Sequence, residues 1–236
     1  MTPPTPEHPR FTPVADHALL VEFADVIGEE AHAAVLRLDA ALADRSCPGF
    51  IEAIPAYVSL LVDFDPLATD HSLVERHVRQ VLERAVEVVH RPTLHEVAVC
   101  YETPFAPDLD AVSRRTGLSL EAVINAHLAG TYQVYMYGFA PGYAYLAGVP
   151  TSIQLDRKPA PVRGIAAGSV LIAGPQCIVT TLTMPTGWWV IGRSPAKILT
   201  GDAGKPVLFE VGDRIRFHRI SADDLAVQAR GTGVHG

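Results

Sequence analysis

From Thr131 onward the chain is written in short apolar runs separated by glycine and proline: Gln133–Tyr137, Ser169–Ala173, Ile178–Leu182, Trp188–Ile191, Val207–Phe209 and Arg214–His218. Runs this short, bounded by turn formers, predict a compact β-barrel or sandwich. Gly212-Asp213 reads as the turn into the last strand. The first half has another pattern. Ala18–Phe23 is a short apolar strand, and Ala31, Ala34, Val35, Leu38 and Leu42 recur at helical spacing until Cys47-Pro-Gly49 breaks the helix. Phe50–Ile54 and Tyr57–Phe64 are apolar runs separated by Pro55, as in paired strands. Asp70 or Ser72 can cap a helix to about Val89, with Leu73, Val74, Val78, Val81, Leu82 and Ala85 on one face. His95–Cys100 alternates like a strand.

The order β-α-β-β-α-β predicts a ferredoxin-like α/β domain over residues 11–100, after a flexible tail at 1–10. The barrel domain is placed at 101–225. It enters through a loop and two helices, Asp108–Thr116 and one starting at Ser119, and a C-terminal tail follows at 226–236. The expected class is α+β.

Composition narrows the function. At 48% hydrophobic and 19% charged residues, the 236-residue chain is too apolar for disorder. A net charge of −7 disfavours nucleic acid or an anionic membrane as the main partner. No run of about 18 apolar residues offers a membrane span, and the proline-rich N-terminus lacks the apolar core of a signal peptide, so a cytoplasmic location is expected. Cys47, Cys100 and Cys177 form no CxxC pair and read as buried thiols; Cys177 as a nucleophile is the alternative. Without HxH or HExxH spacing no metal site is expected. GxxxxGK[ST] and GxSxG are both missing, which argues against a standard phosphate loop and a self-contained serine hydrolase.

Gly138-Phe-Ala-Pro-Gly142 fixes a turn ringed by Tyr132, Tyr135, Tyr137, Phe139, Tyr143 and Tyr145, in a chain with 7% aromatics. It reads either as a barrel corner packed on its own rings or as the lip of a ligand pocket. His127, at a helix end just before it, suits a general base or a structural histidine. Arg157, Lys158 and Arg163 cluster among prolines, and Arg193 lies in Ile191-Gly-Arg-Ser-Pro195. Arginine in such loops suits a bidentate grip on carboxylate or phosphate; solvated loop charge is the alternative.

These residues carry a resemblance. Val58-Ser-Leu-Leu-Val62 with Asp65-Pro66, Asp108-Leu-Asp, His127, Tyr132-Gln-Val-Tyr, Gly138-Phe-Ala-Pro-Gly-Tyr-Ala-Tyr-Leu-Ala-Gly148, Ala167-Gly-Ser-Val170, Gly187-Trp188, Ile191-Gly-Arg193 and Gly212-Asp213 run in family order. Over about residues 14–220 the chain resembles subunit 1 of the allophanate-hydrolase-like proteins, also known as the 5-oxoprolinase B-type, KipI-type or carboxyltransferase domain subunit 1 family. The resemblance implies a small α/β domain followed by a cyclophilin-like β-barrel. It implies a non-autonomous hydrolase subunit, working with a cyclophilin-like subunit 2 (KipA-type) and often a LamB/YcsF-type subunit, that opens 5-oxoproline with ATP bound with or by a partner. Related readings are an inhibitor that docks on a histidine kinase and the carboxyltransferase part of a biotin-dependent urea carboxylase.

On this resemblance, His127 is the expected base or orienter, and Arg193 and Arg163 are the expected anion clamps. Tyr132, Gly138, Phe139, Pro141, Gly142, Tyr143 and Tyr145 are expected to wall the substrate pocket. The sequence departs from the family pattern at Tyr143, at Cys177–Thr181 (with Thr180 where a tyrosine is usual) and at Thr186. These departures point to a divergent lactam, amide or urea-like substrate.

Overall fold

The computed structural model describes residues 8–84 and 92–231, in two compact units, 1–91 and 92–236. In the first, β1 (Arg10–Val14), β2 (Ala18–Glu22), β3 (Phe50–Pro55) and β4 (Ser59–Phe64) form an antiparallel sheet of order β1-β2-β4-β3. Helices α1 (Glu29–Asp44) and α2 (His71–Arg84) pack on it. Alternate residues of the central strands, Leu19, Val21, Leu60, Val62 and Phe64, meet the 3.6-period stripes Val35, Leu38, Leu42 and Val74, Val78, Val81 in one core. Of the two cap candidates for α2, Asp70 is the one that serves: its Oδ1 accepts from Leu73 N at 2.9 Å. The expected extension of α2 through Ala85 to Val89 lies outside the described residues.

The β2-α1-β3-β4-α2 core has the split β-α-β arrangement, in which β4 sits antiparallel between β2 and β3. The edge place beside β2 differs from the ferredoxin-like expectation. It is taken by β1, from before β2, whose first residue falls within the expected tail. The strand expected there, β5 (Leu94–Val99), runs parallel to a strand of the second unit. A period-2 run identifies a strand but not its partner, and a hairpin neighbour reaches the edge with less loop closure than a strand beyond a helix.

The second unit holds α3 (Leu109–Thr116), α4 (Leu120–Ala129), β6 (Tyr132–Tyr137), β7 (Ala144–Ala147), β8 (Val162–Ile165), β9 (Ser169–Ala173), β10 (Gln176–Val179), β11 (Met184–Thr186), β12 (Trp189–Arg193), β13 (Arg214–Arg219) and α5 (Ala222–Gly231). Seven strands order as β12-β9-β10-β7-β6-β13-β5. The ends are joined where Cys100 N donates to Arg193 O (2.8 Å) and Arg193 N to Cys100 O (2.9 Å), so the sheet closes almost fully into a barrel. Side chains alternate along each strand. Val170, Ile172, Cys177, Val179 and Ile191 fill the interior, while Leu171, Ala173, Ile178, Trp188 and Val190 form a separate apolar layer outside. Ile165 and Met184 of the β8–β11 ribbon pack on that outer layer.

Three expectations for this half change. The loop-rich Tyr132–Val149 stretch is a hairpin, β6–β7, with only Gly138–Tyr143 as its turn. Val207–Phe209 makes one isolated bridge, Leu199–Val207, instead of a strand. The expected tail at 226–236 is helical through Gly231, because Leu225 is buried on one face of α5; residues 232–236 lie outside the described residues.

Candidate functional site

The expected site residues divide between two barrel cavities lined by described residues and the barrel interior. The first, about 520 Å³, lies at the rim where β9 starts and β10 ends. Gly168, Thr180, Thr181, the Arg193–Leu199 segment, Phe105 and, from α5, Leu225, Ala226 and Ala229 line it. Gly168 sets its floor. At φ +79°, a Cβ there would stand 2.5 Å from Ser194 O, so only glycine lets the chain pass. Gly168 N donates to Thr180 O (2.7 Å), and Ser194 N donates to Gly168 O (2.7 Å). Thr180 Oγ1 accepts from Ser169 N (2.9 Å) and donates to Ala166 O (3.0 Å). The hydroxyl where the family usually carries a tyrosine is therefore spent on the fold.

Arg193 enters this cavity half-buried. Its Nε is shielded from solvent with no hydrogen-bond partner, and the guanidinium makes no ion pair among the described residues. Burial pulls its pKa below the ordinary arginine value. A buried donor left unmade costs about 1–3 kcal/mol, which a hydrogen-bond acceptor at Nε would relieve. Lys197, also without an ion pair among the described residues, is the second cation of the lining, which contains no carboxylate. The spacing Arg193-Ser-Pro-Ala-Lys197 is the available sequence signal for Lys197.

The second cavity, about 330 Å³, lies on the outer apolar layer. Phe139, Tyr143 and Tyr145 line it with Arg157, Lys158, Leu171, Ile178 and Trp188. Lys158 Nζ meets Asp108 Oδ2 at 2.5 Å, and the same oxygen accepts from Val190 N (2.7 Å). Tyr143 OH donates to Met184 Sδ (2.6 Å). Gly138, Pro141 and Gly142 shape the turn between the cavities rather than line either. Pro141 O accepts from Thr181 Oγ1 (2.6 Å), and a Cβ at Gly142 (φ +72°) would stand 2.8 Å from Leu199 Cδ2.

The remaining expected residues reach neither cavity. His127 is completely buried: Nδ1 faces Tyr101 OH at 2.7 Å, Nε2 faces Cys177 Sγ at 3.7 Å, and the ring stacks on Phe217 at 4.7 Å. Burial lowers its pKa to about 3, and it raises the Cys177 thiol and Tyr101 phenol well above their usual values. The cluster has the order of a Cys-His-Tyr relay, but a neutral, desolvated imidazole cannot exchange protons with a substrate in either cavity. The expected base role for His127 is corrected to an interior packing role. The pocket role of Tyr132 is corrected likewise, since it is buried with its OH donating to His127 O (3.0 Å). Arg163 lies on β8, is exposed, and is not among the lining residues of either cavity.

No cluster of three or more His, Cys, Asp or Glu side chains could hold a metal among the described residues, and no described helix is long and apolar enough to cross a membrane. The rim lining offers two cations and no carboxylate, a charge balance that favours an anionic group.

Residues 9–209 match the carboxyltransferase domain, subdomain C and D. The chain is 37% identical over 222 residues to the B subunit of 5-oxoprolinase from Bacillus subtilis (strain 168), covering 89% of this chain and 92% of that one. The solved structure of TTHA0988 superposes with a TM-score of 0.76 at 32% identity over 88% of this chain, which spans only 41% of that longer protein. K. lactis urea amidolyase shares the fold at a TM-score of 0.73, with 16% identity over 92% of this chain and 15% of that enzyme. With its rim cavity, its closed barrel and this match over most of its length, the chain belongs to the family of the carboxyltransferase domain, subdomains C and D.

Proposed function

We propose that the chain is the B-type component of a 5-oxoprolinase-like, ATP-dependent hydrolase that opens a lactam or a related amide or urea-like compound. Support comes from the Bacillus subtilis 5-oxoprolinase relative, matched over nearly its whole length. The observation that carries the reading is Arg193, a half-buried arginine with a buried, unpartnered Nε, which lines a cavity together with Lys197. The barrel is of the cyclophilin-like type, used here as a frame for a rim site, not for proline isomerisation.

Opening a lactam places negative charge at its carbonyl oxygen: as an oxyanion when water attacks directly, or on the attached phosphoryl group, later lost as phosphate, when that oxygen has first been phosphorylated. Fixed cations in a partly dry cavity stabilise such charge more than water does. Arg193 grips the substrate carboxylate or the developing oxyanion through its planar fork, and Lys197 adds a movable charge at the mouth. Phe105, Leu225, Ala226 and Ala229 cover the apolar ring methylenes. The cavity lining has no histidine or carboxylate to act as base. The base and the nucleotide therefore come from partners: a subunit 2 of related barrel fold and a LamB/YcsF-type subunit. All of these are placed in the cytoplasm.

The test is to purify the chain with the products of its neighbouring genes and follow ATP-dependent release of glutamate from 5-oxoproline. Arg193→Gln lowers kcat/KM about 10–100-fold, the effect of one lost charge-assisted contact. Undiminished turnover in that variant removes the role.

A further inference from the structure

We propose that the outer-layer cavity is a second ligand site, separate from the Arg193 rim, that takes a carboxylate carried on a planar aromatic or heteroaromatic body. Three observations converge on it.

The first is the state of its cations. Lys158 is neutralised by Asp108 at 2.5 Å, whereas Arg157, exposed beside it, makes no ion pair or hydrogen bond among the described residues. Its guanidinium lies over the Trp188 ring, 5.6 Å from the centroid. A guanidinium at cation–π range over an indole has no N–H donor committed to the ring, which leaves its donors for a carboxylate fork. The cavity lining contains no acid to answer it.

The second is the set of rings. Tyr145 meets Trp188 edge-on with centroids 6.0 Å apart, and Phe139 meets Tyr143 edge-on at 5.7 Å. Leu171, Ile178 and Pro161 complete an apolar wall. A volume of about 330 Å³ is at the small end of ligand pockets and suits a body of one or two fused rings. Arg157 and Lys158 are the charged residues of the lining, so an anion is the complementary charge.

The third is Phe139. Its ring is 75% exposed and its backbone sits at φ +69°, a left-handed conformation that costs a non-glycine residue about 1–3 kcal/mol. Strain that displays a large apolar ring to water beside an aromatic cavity is what a closing face for a planar ligand requires.

The experiment is calorimetric titration of the full chain with 1-naphthoate and with uncharged 1-naphthamide. Saturable naphthoate binding below about 1 mM is expected, with naphthamide at least 10-fold weaker, one lost charge-assisted contact. Arg157→Gln and Phe139→Ser, both at exposed positions and so compatible with folding, each weaken naphthoate several-fold or more. Arg193→Gln leaves it unchanged. Absent saturable binding, equal binding of naphthamide, or loss of binding in Arg193→Gln but not in Arg157→Gln overturns the proposal. The last outcome would assign the carboxylate to the rim cavity and leave the proposed function standing.

Discussion

The barrel interior and the barrel rim both hold polar groups, and they use them in opposite ways. Inside, Tyr101, His127 and Cys177 are desolvated and paired with one another, so every group is neutral. At the rim, Arg193 keeps its charge with a buried donor unsatisfied. A residue type that suits catalysis is therefore no guide to a site. The informative signal is a polar atom whose partner the fold does not supply.

Acid separates the two regions most strongly. Unfolded His127 titrates near 6.5 and the folded residue near 3, so across that window the native state binds fewer protons. Its contribution is fully present above pH 6.5 and is lost as pH falls towards 3. The total is on the order of 5 kcal/mol, with about 2 kcal/mol gone by pH 5. Urea unfolding at several pH values should show this slope, and His127→Gln should flatten it while lowering stability at pH 7. An equal slope in the variant would mean that the interior histidine is not the buried neutral group described. Gly168→Ala comes next: its Cβ would meet Ser194 O at 2.5 Å in a left-handed conformation, so a loss of about 2–4 kcal/mol in chemical denaturation is expected, with weaker anion binding alongside. Arg193→Gln should leave stability in chemical denaturation within about 0.5 kcal/mol of wild type, or raise it, because an unpaired half-buried charge stabilises nothing. A marked loss of stability would place Arg193 with the interior groups. The smallest effect belongs to Arg163→Gln: exposed on β8, it should change neither stability nor turnover by more than about 2-fold.

Much of the fold is legible in the sequence because periodicity is local. The stripes of α1 and α2 and the apolar run of β9 follow directly from residue spacing. Strand partnership is not legible. Leu94–Val99 reads the same whether it closes a ferredoxin-like sheet or a barrel, and only the long-range contact with β13 decides between them. The site is half legible. Arg193 and the aromatic turn stand out, but the residues grouped with them face three different environments: interior, rim and outer layer. Alternation along the strands explains this. Trp188 and Trp189 are neighbours in sequence, yet Trp188 belongs to the outer layer and Trp189 to the interior core. Lys197 escapes notice because its one signal, a place four residues after Arg193 in a loop, does not by itself mark a shared cavity.

The seam at Cys100 and Arg193 has one further consequence. Two backbone hydrogen bonds join the barrel's ends there, and both involve the residue that presents the rim cation. On the proposed role of Arg193, an anion that binds only with the seam closed would suppress its opening by RT ln(1 + [L]/Kd). The amide protons of Cys100 and Arg193 become built-in clocks of occupancy. Their exchange with deuterium should slow as the site fills, while amides of the β2–β4 pair in the first unit keep their pace.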